Sequence, residues 1–351
     1  MLSLSLSQIL HSISNSCIHL QFYFASLGIL INTFHLITLS QKSMRTNAIN
    51  VLLIGIAISD LLFLSSEVHK HILDILQAPD SLNCTPPLPW LQVFLHWIFN
   101  YSGDIFRRVS TWLGLILALI RAIVMRYCTH PKVKILLKPL TSFKVLLSVI
   151  LISFLVSSIH FSNMRVVRYH DWVPPESCSN YPPNTFFPKY EMIYVGIWGL
   201  DASETTHIHF LFDVFLRPFP PILCPFLAGI LVFELRKAKK HREALGSDKS
   251  DKDSDNTSRI VIWMTFAYVL AETPYALAYL IQFCDFIVQL NATDLIINIM
   301  IIFTTILMLY ASSHCVICFL LSSQYRKVAK SMFGCGEKRI PKVSNTITVP
   351  F

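Results

Sequence analysis

The chain reads as long apolar stretches broken by short polar ones. Seven stretches stand out, at about 18–39, 47–64, 91–126, 143–161, 207–235, 260–283 and 295–321. Each carries roughly the 17–25 apolar residues that cross a hydrocarbon layer as a helix. The third is longer than a bilayer needs and is expected to tilt or project. Pro218, Pro220, Pro221 and Pro225 mark kinks in the fifth, and Pro274 lies inside the sixth. Residues 1–17 carry no charge and lack the positive start and clear cleavage site of a signal peptide. With only ten glycines and no repeated alternation, the pattern argues against a membrane β-barrel. It also shows no internal repeat of the kind transporters carry.

Composition agrees with this pattern. The chain is 351 residues long, 53% hydrophobic and 14% charged, with a mean hydropathy of +0.53. Such a chain is a multi-pass membrane protein. A net charge of +8 would suit nucleic acid, but its distribution speaks for membrane orientation instead. Lys42 and Arg45 follow the first span, and Arg126, Lys132, Lys134 and Lys138 the third. A basic run from Arg236 to Arg259 follows the fifth span, and Arg326, Lys327 and Lys330 follow the seventh. The alternate loops are acidic: Glu67, Asp74 and Asp80 outweigh Lys70. Asp171, Glu176, Glu191, Asp201 and Glu204 outweigh Arg165, Arg168 and Lys189.

The expected fold is therefore an all-α seven-helix bundle in the plasma membrane, amino terminus outside and carboxyl terminus cytosolic. Residues 1–17 form the outer terminus and 18–321 the bundle. Residues 322–351 hold a short amphipathic helix on the inner leaflet and a tail.

One stretch carries a charge where the pattern forbids it. Between Arg108 and Arg121 there is no charged residue, and Arg121 still lies inside an apolar run. On a helix it sits ~16 Å below Ser110 on the same face. An arginine there faces a bundle interior or snorkels to the headgroups. Of nine cysteines, Cys84 and Cys178 fall in separate outer loops, where they form a bridge or stay as two free thiols. Asn83 and Asn291 head outer sequons and are candidate glycan sites. Cys335, after the basic stretch 325–332, is a candidate for palmitoylation.

Four motifs carry a resemblance: Ser312 to Arg326 at the end of span seven, Ala-Leu-Ile-Arg121, Ile-Ser-Asp60-Leu-Leu, and Ala-Glu-Thr-Pro274-Tyr. Together they resemble the rhodopsin-type G-protein-coupled receptors. More narrowly they resemble the nematode serpentine receptors of class W, which are similar to FMRFamide- and myosuppressin-type peptide receptors. The resemblance covers about residues 18–335. It implies that Arg121 meets a heterotrimeric G-protein, with Arg126, Tyr325 and Arg326 at the same end. It also implies an activation core of Asn32, Asp60, Ser110, Pro274, His314 and Cys318, with Pro274 as the hinge of a moving sixth span. A sodium ion beside Asp60 is implied too, but His314 changes the charge there and works against it. No other metal and no cofactor is expected.

The departures from the family pattern are informative. Ile120 replaces the usual acidic neighbour of Arg121, and Glu272 stands where a tryptophan is usual. His314, Cys315 and Cys318 replace the usual asparagine, proline and tyrosine. If Asp60 and His314 both face the interior, they share a proton or form an ion pair, which would make activation pH-dependent. The plain alternative is a structural hydrogen bond.

Glu67, Asp104, Arg107 and Glu272 are the candidate pocket residues. Arg107 either contacts ligand or pairs with one of these acids structurally. Acidic outer loops steer cationic ligands, and the segment 162–206 adds Trp172, Tyr181, Phe186 and Phe187. Gly103 stands where aminergic receptors place an aspartate, which disfavours a monoamine.

The leading expectation is a receptor for an FMRFamide-like neuropeptide, working by population shift. A chemosensory receptor for small environmental molecules is the alternative, and a transporter is a further rival. A retinal protein is ruled against, because no lysine lies between Leu295 and Leu321. No constellation for catalysis is present, and nucleic acid is not an expected partner.

Overall fold

A computed structural model describes residues 2–76, 84–127, 130–131, 133–197, 199–244, 252–288 and 292–332. The elements run α1 (Leu2–Leu39), α2 (Ala48–Leu76), α3 (Trp90–Arg126), α4 (Val133–Leu136), α5 (Pro139–Ser162), β1 (Met164–Trp172), β2 (Phe187–Tyr194), α6 (Ala202–Leu216), α7 (Phe219–Ala244), α8 (Lys252–Val288), α9 (Thr293–Leu321) and α10 (Ser323–Met332). Seven segments are helices long and apolar enough to cross a membrane, with α6 and α7 forming the fifth together. They match the seven expected spans. The protein is a seven-helix membrane bundle.

Large apolar side chains such as Leu30, Leu151, Leu155, Phe215, Phe233 and Leu320 point out of the bundle. In water this would be a liability; in lipid it is the expected surface. Inside, one apolar cluster runs through Leu52 and Ile56 of α2, Val109, Leu113 and Leu117 of α3, Leu146 of α5, Leu231 of α7 and Met264 of α8. Helix α3 packs on α2, α5, α7 and α8, and α9 closes the bundle against α1 and α8. Any side chain on the inward face of α3 is therefore within reach of several partners.

Three details differ from the sequence expectation. Helix α1 begins at Leu2, well before the expected start near residue 18. Residues 2–17 contain neither proline nor glycine, so nothing stops the helix from extending. The fifth span breaks between α6 and α7 at Arg217 and Pro218, not merely kinking there. Arg217 itself keeps helical dihedrals; Pro218, Pro220 and Pro221 lack the backbone donors that would continue the ladder. The helical bundle also carries one hairpin the sequence did not predict: β1 and β2 pair antiparallel from Met164 with Tyr194 to Trp172 with Phe187.

The hairpin closes one end of the bundle. Trp172, Tyr181 and Phe187 form an aromatic cluster over it, with ring centres 5.8–6.1 Å apart. The Tyr181 hydroxyl donates to the Cys84 carbonyl at 2.8 Å. Cys84 and Cys178 are bonded as a disulfide, tying this segment to the start of α3. At the opposite end, which holds the basic loops, α10 folds back against α1 and α9. Its buried residues Tyr325 and Ala329 are four apart, on one face, with Lys327 and Lys330 exposed. Asn83, Asn291 and Cys335 lie outside the described residues.

Helices α2 and α3 approach most closely at Gly103. A Cβ there would stand 2.1 Å from Ser66 Oγ and 2.9 Å from Ser66 Cβ. Ser66 is fully buried and its hydroxyl donates to the Phe63 carbonyl at 2.7 Å. The two helices must therefore separate to admit a methyl group. Gly103→Ala is expected to lower stability by about 1–3 kcal/mol. Thermal unfolding of the detergent-solubilised protein measures this, and an unchanged melting temperature would contradict the close approach.

Candidate functional site

Four polar groupings lie inside the bundle, strung along α3. At the hairpin end is an open cavity of about 420 Å³ between α1, α2, α3, α8 and α9. Its charged lining is Glu67, Lys70, Asp104, Arg107 and Arg217. Gln21, Asn100, Gln282 and Thr304 add neutral polar groups, and Phe63, Tyr275 and Met300 add apolar walls. Three of the four pocket candidates thus face the cavity. The fourth, Glu272, borders a second, water-sized space of about 20 Å³ that also touches Arg107 and Arg217.

Most of these charges are already satisfied. Lys70 Nζ is 2.6 Å from Glu67 Oε1. Asp104 is held by Arg108 at 3.0 Å and also by Arg217. Arg107 is different. Among the described residues its one ion pair, to Glu272 Oε2, is long at 3.5 Å. Its guanidinium carbon lies 3.5 Å from the centre of the Tyr275 ring and 6.0 Å from that of Phe63. Glu272 also accepts from Thr111 Oγ1 at 3.4 Å. The alternative of a structural pair for Arg107 therefore holds in part, but that pair is a loose one.

Beside the cavity is an ionic cluster that the sequence reading missed. Arg108 donates to Asp213 Oδ1 at 2.6 Å, to Ser157 Oγ at 2.6 Å and to the Ser153 carbonyl at 3.3 Å. Asp213 also accepts from Arg217 and from the Tyr279 hydroxyl, the latter at 2.6 Å. The Arg217 guanidinium carbon stands 4.9 Å from the Tyr279 ring centre. Two arginines and two aspartates, Asp104 and Asp213, thus neutralise one another across α3, α5, α6 and α8. A signal for it was present, since Asp213 and Arg217 sit four apart in the apolar run of the fifth span. An ionisable pair at that spacing shares one helix face.

Roughly one helical turn lower on α3, Ser110 Oγ donates to Asp60 Oδ1 at 2.7 Å. His314 Nδ1 lies 3.0 Å from Asp60 Oδ2. The expected meeting of spans two, three and seven is present as a buried hydrogen-bonded trio. The His314 ring packs edge-on against Tyr310, with centres 4.7 Å apart. Asn32 joins α1 to α9 by donating to the Ala311 carbonyl at 3.1 Å. Cys318 is buried in the apolar cluster, and Pro274 lies within α8, two residues past Glu272. The oxygens of Asp60 already meet Ser110 and the His314 imidazole, so the donor set does not fit a sodium ion well.

At the basic end, Arg121 is buried at 8% exposure, and its Nε has no hydrogen-bond partner among the described residues. Arg126 stands 3.9 Å from Glu234 of α7. Arg326 caps α9, donating to the carbonyls of Phe319 and Leu320. Tyr325 does not belong with these surface candidates. It is fully buried, with its hydroxyl 2.9 Å from His35 Nδ1 and 3.5 Å from Cys315 Sγ. Its position on the apolar face of α10 turns it inward, where it anchors that helix to α1 and α9.

Ile120 confirms the odd character of this end. It lies in the apolar cluster next to the buried arginine, and no carboxylate occupies its place. Comparison with curated proteins finds no match. The family model described as "Serpentine type 7TM GPCR chemoreceptor Srw" matches residues 19–336, almost the entire bundle with the start of the tail, and the chain belongs to that family.

Proposed function

We propose that this receptor detects a small polar molecule in the cavity at its hairpin end. Signalling then passes through the trio around Asp60 to a heterotrimeric G-protein at the basic end. The observation that carries this reading is the cavity itself. Its volume of about 420 Å³ falls within the ~300–1,000 Å³ of small-molecule sites. Fixed charges and aromatic walls meet in it, which is the mixture that orients a small polar ligand. The hairpin end faces outward because the basic loops gather at the other end.

The FMRFamide-like neuropeptide expected from the sequence gives way to the chemosensory alternative. The family is described as one of chemoreceptors. A cavity of this volume suits a small ligand better than an extended peptide. Binding would favour a state in which α8 swings about Pro274, opening the basic end to Arg121, Arg126 and Arg326.

The test is a screen in cells carrying a G-protein reporter. Small charged metabolites are set beside amidated neuropeptides. A response to small molecules at micromolar to millimolar concentration is the expected result. A response confined to the peptides would overturn the reading.

A further inference from the structure

We propose that the ligand carries a carboxylate, that Arg107 receives it, and that this contact releases Glu272 and so frees α8. The inference rests on the small-ligand reading above and adds the chemistry of the ligand and its coupling to the helix that moves.

The first step is which charge in the cavity is available. Glu67 is closed by Lys70, and Asp104 by two arginines. A cationic ligand would have to displace a short ion pair to reach either acid. Arg107 has only the 3.5 Å pair with Glu272. It is the cavity's one loosely held charge among the described residues.

The second step is geometry. The Arg107 guanidinium carbon lies 3.5 Å from the Tyr275 ring centre, with Phe63 further off. A guanidinium held over a ring still carries its forked N–H donors, one of them loosely on Glu272 at 3.5 Å, for an acceptor that competes for them. A carboxylate matches that fork with two parallel hydrogen bonds, stronger than neutral ones. An ammonium or an amide nitrogen offers nothing to such a group.

The third step is coupling. Arg107 is on α3 and Glu272 is on α8, two residues before Pro274. The pair is thus a tie between the fixed helix and the proline hinge. A ligand carboxylate competes with Glu272 for the same guanidinium. Once it wins, Glu272 keeps Thr111 but loses its charged partner on α3. Differential binding of this kind is what a ligand needs to shift a conformational equilibrium.

The experiment pairs each carboxylic acid, simple organic acids and amino acids alike, with its methyl ester or primary amide, on the unaltered receptor. The acids are expected to activate, and their esters to lose about 100-fold in potency. If simple acids and amino acids differ, the ammonium group is what separates the two sources. Arg107→Lys keeps the charge but not the fork, and is expected to cost about tenfold in potency. Glu272→Gln cuts the tie without ligand, so signalling per surface receptor should rise in its absence.

Esters as potent as their acids overturn the inference, as does unchanged ligand-free signalling in Glu272→Gln at equal surface expression. Activation by amines or neutral molecules alone leaves the small-ligand reading standing and removes the carboxylate. Activation by amidated peptides alone removes both, and silence across every pair counts against both.

Discussion

Asp213→Ala is expected to cost the folded protein about 3–5 kcal/mol and most of its surface expression. The side chain is wholly buried and accepts from Arg108, Arg217 and Tyr279 at once. Without it, the buried Arg108 and the part-buried Arg217 share one remaining carboxylate, Asp104. An uncompensated charge in a low-dielectric interior costs far more than a lost neutral hydrogen bond. The effect concentrates at the break in the fifth span, because Asp213 and Arg217 are the last polar residues of α6 before Pro218. Surface labelling of intact cells and thermal unfolding in detergent both read the loss. A double replacement, Asp213→Leu with Arg217→Met, removes one charge of each sign and should recover part of the stability. If the double variant is as unstable as Asp213→Ala, the charge-balance account of the cluster fails.

Much of the architecture was legible because membrane spans are written in one variable. A helix in lipid must satisfy its backbone internally and show an apolar surface, so hydropathy alone marks it. The seven spans were found this way. The trio of Asp60, Ser110 and His314 was legible for a related reason. A polar residue inside an apolar run must find a polar partner; the family resemblance implied Ser110 beside Asp60, and the residues themselves suggested His314 as its partner.

What was missed required partners distant in sequence. Tyr325 was placed at the G-protein end by resemblance; its bond to His35 was not legible, since His35 lies 290 positions away and only the tertiary fold brings them together. The hairpin escaped notice because strands 164–172 and 187–194 are joined by 14 residues rich in proline, well outside the short turns that betray hairpins. Asp213 and Arg217 carried the same intramembrane signal as Asp60. The four prolines that follow drew the reading toward kinks instead. Arg107, singled out as a pocket candidate, lines the cavity, yet its distinction from Arg108 next to it is purely geometric. One is locked between aspartates and the other lies loosely against a tyrosine ring.

Ile120→Asp is expected to lower ligand-free signalling about tenfold per receptor at the surface. That corresponds to roughly 1.4 kcal/mol in favour of the silent state. Arg121 is buried, its Nε is unpartnered among the described residues, and its chain neighbour is an isoleucine packed among Leu117 and other apolar residues. Side chains one apart do not face each other on a helix. A carboxylate within a few Å still holds a guanidinium where the dielectric is low and water is scarce. Such a hold opposes the outward reach of Arg121 that coupling to a G-protein requires. The substitution has a second effect, since Ile120 is only 6% exposed and a polar side chain there disturbs the core. Total expression should therefore fall, and signalling must be counted per receptor. Ile120→Asn separates the two effects, being similar in size and polarity but uncharged. It should lose expression like the aspartate variant while keeping its ligand-free signalling per receptor. Equal signalling from the aspartate and asparagine variants would mean that no charge restrains Arg121, and that the missing acid at position 120 has no bearing on how this receptor rests.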